Sequence, residues 1–156
     1  MNAKEYLRQI RKIDSMIKNK IAEAEHWKSV AQNIGTYSEG ERVQSSGNKQ
    51  KMADAVCRYV SIEQDIDKSV ADLILIRKEV IETIEQLETA EYDVLHKTYV
   101  QYKDFTEIAD MMGKSYSWVT TIHGRALANL QKILKEREKA EHECTESEEK
   151  EETKNT

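Results

Sequence analysis

Residues 106–127, TEIADMMGKSYSWVTTIHGRAL, constrain the fold more than any other part of the chain. Ala109 stands four residues before Gly113 and ten before Val119, with Ile108, Met112 and Ile122 apolar at the remaining inward positions. This is the spacing of a helix-turn-helix. Two helices that cross closely need a small residue at the crossing, which Ala109 provides. The turn between them needs a residue that accepts positive φ, and Gly113 supplies it. Ser115 can cap the second helix by accepting from a free backbone N–H two or three residues on. Val119 and Ile122 then return that helix onto the first. Asp104, with Glu107 three residues later, has the pattern of a capping box for the first helix.

The rest of the chain is periodic on a larger scale. Ile10, Ile13, Ile17, Ile21, Ala24, Trp27, Ala31 and Ile34 form one apolar stripe. Met52, Val56, Tyr59, Ile62, Ile66, Val70, Leu73, Ile76, Val80, Ile84 and Leu87 form another. Both repeat near the roughly 3.5-residue period of helices that wind around a partner. Neither stripe can be buried by its own helix, so the helices pair with each other, with a second copy of the chain, or with both. The segment between them, GTYSEGERVQSSGNKQ, is polar and aperiodic and reads as a linker. The chain contains no proline and a single Phe, and 34% of its 156 residues are charged. That composition suits a helix-rich protein without a large compact core.

The expected architecture is therefore all-α, a long helical hairpin or coiled coil followed by a helix-turn-helix module. A coiled-coil-like helix occupies 1–34, a flexible linker 35–50, a second long helix 51–88, the DNA-binding type of module 89–136, and an acidic disordered tail 137–156. Within the module, Thr89 is expected to cap a helix over 90–101, a second runs over 105–112, and the recognition helix starts at Ser115. No apolar run is long enough to span a bilayer, and the N-terminus lacks the apolar core of a signal peptide. Cys57 and Cys144 follow no metal or redox spacing. The expectation is a cytoplasmic protein with no membrane partner.

The formal net charge of −5 is unfavourable for a DNA binder as a bulk number, but the charge is unevenly placed. Segments 51–88 and 136–156 are strongly acidic, whereas 1–34 and 89–135 are net basic. From Met111 to Lys135 there is no Asp or Glu, while Lys114, Arg125, Lys132 and Lys135 are present. A helix face that meets phosphates requires this absence, because a carboxylate there is repelled.

The neighbours of the motif extend it. Leu87, Thr89, Val94-Leu95, Tyr99, Glu107-Ile108-Ala109, Gly113, Ser115, Val119 and Ala126-Leu127 with Leu130 follow the order found in region four of bacterial sigma factors. The stretch Leu87–Leu134 resembles that region, and the other sigma regions are missing. The whole chain resembles small phage and prophage transcriptional regulators of the ArpU-like kind, which join a helical N-terminal part to such a module. The resemblance implies binding to double-stranded DNA in transcription control, with RNA polymerase and a second copy of the chain as further partners.

The residues expected at the DNA are Lys114, Ser115, Tyr116, Ser117, Trp118, Thr120, Thr121 and Arg125. They depart from the sigma pattern, whose matching outward positions are rich in Arg with Glu and Gln. Arg is the commonest reader of guanine, so the docking mode carries over and the sequence preference does not. Thr methyls and the Trp118 ring suit thymine methyl groups, and hydroxyls suit phosphates. Trp118 has a second reading, as a cover over the junction of the module with the long helices. Gly124, inside a helix, reads either as a close backbone approach or as a tolerated defect. His26, His96, His123 and His142 share no metal spacing, and neither a phosphate loop nor a nucleophile elbow is present. No enzyme, cofactor or metal is expected. Two other functions fit the same pattern: a DNA-packaging protein like a small terminase subunit, and an adaptor of RNA polymerase that does not bind DNA.

Overall fold

The computed structural model describes the backbone of residues 1–36 and 46–152, and within them the side chains of 1–34, 47 and 49–142. Among the described residues there are no strands. The helices are α1 (Ala3–Thr36), α2 (Ser46–Ile84), α3 (Thr89–Leu95), α4 (Phe105–Met112) and α5 (Tyr116–Glu152), with a π-helical turn over His96–Val100 between α3 and α4. The all-α expectation holds. Of the expected linker over 35–50, residues 37–45 lie outside the described residues, and its two ends belong to α1 and α2.

The chain divides into two compact units, one made of Met1–Ile10 with Arg77–Thr156 and the other of Arg11–Ile76. The second unit is a helical hairpin. Lys20 donates to Ser69 Oγ at 2.9 Å, and the Arg58 guanidinium lies 4.6 Å from the centre of the Trp27 ring. Position 20 therefore meets 69 while 27 meets 58, which makes the two helices antiparallel. Their stripes are only partly covered. Ile17, Ala24, Ala31 and Ala55 are buried, but Ile21, Met52, Val56 and Val70, all expected inward, are exposed. Ile74 and Leu75 are 62% and 66% exposed. Small alanines form much of the buried seam, so the longer side chains beside them reach out past it.

The first unit holds the module and more. Its core joins Ala3, Tyr6, Leu7 and Ile10 of α1, Val80 and Ile84 of α2, Val94 and Leu95 of α3, Ile108 and Ala109 of α4, and Val119, Ile122, Ala126, Leu130 and Leu134 of α5. The expected boundary at 88/89 therefore does not separate the module. The last two turns of α2 and the first turns of α1 belong to it, because Tyr6, Val80 and Ile84 have no other cover. Arg137 of α5 donates to Thr83 Oγ1 and to Glu79 Oε1, both at 3.1 Å, and Tyr6 Oη lies 3.0 Å from Thr83 Oγ1. Burial holds the Tyr6 hydroxyl above its ordinary pKa.

Three expected boundaries shift. α2 ends at Ile84, and i→i−3 bonds from Gln86 to Thr83 and from Leu87 to Ile84 tighten its last turn. Thr89 does not cap α3: the N-cap is Glu88, in extended conformation and without a side-chain cap bond. Its carboxylate is engaged by Arg125 instead. α5 passes the expected end at 136 and continues to Glu152, so most of the stretch 137–156 expected as a disordered tail is helical. Arg137 anchors that continuation to α2, and residues 153–156 lie outside the described residues.

Candidate nucleic-acid interface

The helix-turn-helix is built from local signals that all take effect. Asp104 accepts from the Glu107 N–H at 2.8 Å, and Glu107 Oε2 accepts from the Asp104 N–H at 3.0 Å. This capping box is complete and contributes on the order of 1 kcal/mol to α4. Gly113 ends α4 in the left-handed region at φ 63°, and its neighbour Lys114 donates its N–H back to the Ala109 carbonyl at 2.9 Å. Ser115 Oγ accepts from the Trp118 N–H at 3.1 Å and so caps α5. Val94, Ile108, Ala109, Val119 and Ile122 form the buried cluster between the helices, with Ala90, Phe105, Met112 and Trp118 packed against it.

The expected DNA-facing residues divide into three groups. Lys114, Ser115, Tyr116, Ser117 and Thr121 are exposed on the first two turns of α5 or just before it. Tyr116 is 57% exposed, with its ring set edgewise to Phe105 at 6.1 Å. Thr120 and Thr121 both donate their hydroxyls to the Ser117 carbonyl at 2.9 Å. With the hydroxyls committed to the backbone, the methyl groups are what these threonines offer a groove. Trp118 is half-buried against the cluster, and Lys114 lies over its ring at 5.5 Å. It is thus a cover for the helix-turn-helix core itself, which neither expected reading had placed there.

Arg125 forms the third group, engaged within the fold. It was expected at phosphates, but its Nε donates to Glu91 Oε1 at 2.6 Å and its Nη2 to Glu88 Oε2 at 2.8 Å. Asn129 Nδ2 also donates to both Glu91 oxygens, at 3.0 and 3.2 Å. Glu91 is 1% exposed, so the guanidinium compensates a carboxylate that has lost its water. Arg125 therefore fastens α5 to the start of α3. Of the two readings of Gly124, the tolerated defect fits: a Cβ built on it meets nothing within 4 Å, and its φ is not in the left-handed region. Among the described residues no backbone approaches it closely.

Sequence reasoning missed a second cluster, around the π turn. Gln101 donates its N–H to the His96 carbonyl at 3.1 Å and Lys103 to the Lys97 carbonyl at 2.9 Å, wider spacings than an α-helix allows. Tyr102 follows with φ 59°. Tyr99 stacks on His123 of α5, ring centres 5.8 Å apart, with its Oη 3.1 Å from His123 Nε2. Phe105 lies 4.9 Å from the same imidazole. Burial, and secondarily the charge of Lys4, push His123 below its ordinary pKa. Burial pushes the Tyr99 hydroxyl up, opposed by Arg8. An acid at an inward position, such as Glu91 between Leu87 and Val94, was the available signal for the first cluster. Nothing local marks the second.

Residues 83–132 match the family model described as sigma-70, region 4. The match begins in the last turn of α2 and ends within α5, so it coincides with the capped pair of helices and the elements that support them. It covers about a third of the chain. Comparison with curated proteins and with solved structures gives no match. The chain contains a sigma region-four helix-turn-helix domain at 83–132. Among the described residues no helix is long and apolar enough to cross a membrane.

Proposed function

We propose that this chain is a transcription regulator of phage or prophage origin that binds double-stranded DNA with α5 in the major groove. The observation that carries this reading is the coincidence of the sigma region-four match with a capped helix-turn-helix whose own sequence from Met111 to Lys135 has no Asp or Glu. In such a module the second helix presents its first turns to base edges while flanking groups hold phosphates. Here Thr120 and Thr121 supply methyl groups, and Lys114, Tyr116 and Ser117 supply polar contacts on the flank. The protein acts in the cytoplasm without catalytic activity.

The active form is a homodimer. Supporting this are the apolar side chains left exposed on the hairpin of residues 11–76, among them Met16, Val60, Ile74 and Leu75. A second copy of the chain offers the same surface, as a two-fold interface requires.

A second reading, an adaptor that meets RNA polymerase and not DNA, draws support from Arg125. With that guanidinium held by Glu88 and Glu91, the face of α5 has few cations to spend on phosphates. DNA affinity measured against salt separates the two. The regulator binds duplex DNA with an affinity that falls as salt rises, by roughly 0.9 in log–log slope per phosphate contacted. The adaptor shows no such binding and instead retains polymerase.

A further inference from the structure

We propose that Lys4 and Arg8 of α1 belong to the DNA-binding face and contact duplex phosphates beside the corner where α4 and α5 begin. The proposal rests on the DNA-binding reading above and adds a surface that lies outside the matched domain.

The first turns of α1 are fixed against the module. The Ala3 N–H donates to Gln131 Oε1 of α5 at 2.8 Å, and Tyr6 meets Thr83 and Glu79 of α2. Ala3, Tyr6, Leu7 and Ile10 are buried, and this inward stripe sets the rotation of the helix. Lys4 and Arg8, one turn apart, then share a single exposed flank. Tyr6 occupies the opposite flank, toward α2. The basic flank is therefore turned away from Thr83 and Glu79 of α2.

The neighbours on that side identify the place. The charge of Lys4 is felt at His123 and that of Arg8 at Tyr99. His123 touches Phe105, the first residue of α4, and Phe105 meets Tyr116, the first residue of α5. Tyr99, His123, Phe105 and Tyr116 thus form a continuous row of ring contacts, and the two cations lie toward the His123 and Tyr99 end of that row, which leads to the corner where α4 and α5 begin. Among the described residues, neither Lys4 nor Arg8 has a carboxylate within ion-pair distance. Lys103, on the same corner, is by contrast paired with Glu107, and Arg125 with Glu88 and Glu91. The Arg-poor recognition helix is supplied with unpaired cations by a helix that the chain folds onto it.

The test is the affinity of the full chain for a random-sequence DNA duplex as a function of salt. The Lys4→Ala, Arg8→Ala double variant should keep the wild-type melting temperature and lose about two from the salt slope. The charge-preserving Lys4→Arg, Arg8→Lys variant should keep the wild-type slope. If the double variant melts early, Lys4→Gln and Arg8→Gln made singly should each lose about one. An unchanged slope in the folded alanine variant, or in both single variants, overturns the proposal while leaving DNA binding in place. A wild-type chain that binds no duplex at all overturns the DNA-binding reading and this proposal with it.

Discussion

Glu91 and Arg125, 34 residues apart in the chain, form the ion pair that joins the start of α3 to the middle of the recognition helix. The carboxylate is 1% exposed and the guanidinium side chain 51%, so the pair lies at the edge of the core with one partner dry and the other wet. Replacing the acid by Gln keeps one acceptor oxygen but sets an NH2 donor against the Asn129 and Arg125 donors, and leaves Arg125 with Glu88 as its remaining carboxylate. Removing the base leaves a buried carboxylate with only Asn129 and is the more costly change. Glu91→Gln should lower unfolding stability by about 1–3 kcal/mol in chemical denaturation. Arg125→Ala should destabilise at least as much. Because Arg125 is already neutralised by Glu88 and Glu91, its loss should leave the salt slope of DNA binding nearly unchanged. A slope that drops by a full phosphate equivalent in Arg125→Ala would show that the guanidinium leaves its carboxylates for the duplex.

Stability should fall in mild acid through the half-buried imidazoles of His96 and His123. Burial, helped by Lys4 at His123 and by Lys97 and Arg77 at His96, holds both rings below their ordinary value of 6.5. The unfolded chain binds these protons at a higher pH than the fold does. The contribution of the neutral rings is therefore complete above about 6.5 and is lost as pH falls through that value toward the depressed ones. The melting temperature should decline between neutral pH and about pH 5.5, and His123→Gln should reduce the decline. A flat profile over that range would show that both rings accept protons without cost.

Gly124→Ala should stabilise the protein. Gly124 has open space where a Cβ would sit and no positive φ, so the substitution removes only backbone freedom from the unfolded chain. The gain should be roughly 0.5–1 kcal/mol, seen as a higher denaturation midpoint. A loss of stability would indicate that α5 needs the flexibility there for its fit to a partner.

What the sequence made legible was mostly local. The capping box at Asp104 and Glu107, the left-handed Gly113, the Ser115 cap and the inward Val119, Ile122, Ala126 and Leu130 each depend on neighbours within a turn or two, and each forms as expected. What depended on distant partners was not legible. Arg125 reads as a free cation until the fold brings Glu91 beside it. Tyr6 falls before the apolar stripe that begins at Ile10, and its role appears only once Thr83 and Arg137 are in place. The π turn has no compositional mark: its wider bonds join backbone groups of Gln101 to His96 and of Lys103 to Lys97, and the ring that packs beside it, His123, comes from a distant part of the chain.

The hairpin surface should govern oligomeric state. Among the described residues of 11–76, Ile74 and Leu75 are the most exposed large aliphatic side chains, and charges placed there should oppose burial against a second copy. Ile74→Glu with Leu75→Glu should convert a dimer to a monomer in sedimentation or light scattering, without loss of helix content. A wild-type chain that is monomeric at tens of micromolar would remove the homodimer from the proposed function. Large rings would point instead to a packaging role.

The threonines of α5 should carry discrimination between DNA sequences, and the lysines bulk affinity. Thr120 and Thr121 spend their hydroxyls on the Ser117 carbonyl, so what they present is apolar and uncharged. A methyl group in the major groove distinguishes thymine from the other bases but contributes nothing to counterion release. Thr120→Ser with Thr121→Ser keeps both backbone bonds and removes only the methyl groups. In the specific complex this variant should lose affinity by about 1–3 kcal/mol, while binding to random duplex and its salt slope stay as in the wild type. Lys114→Ala should do the reverse, weakening all duplexes alike and flattening the slope by about one. If the serine variant weakens specific and random DNA equally, the two methyl groups do not face the bases, and the groove contact has to be sought among Tyr116, Ser117 and the flank supplied by α1.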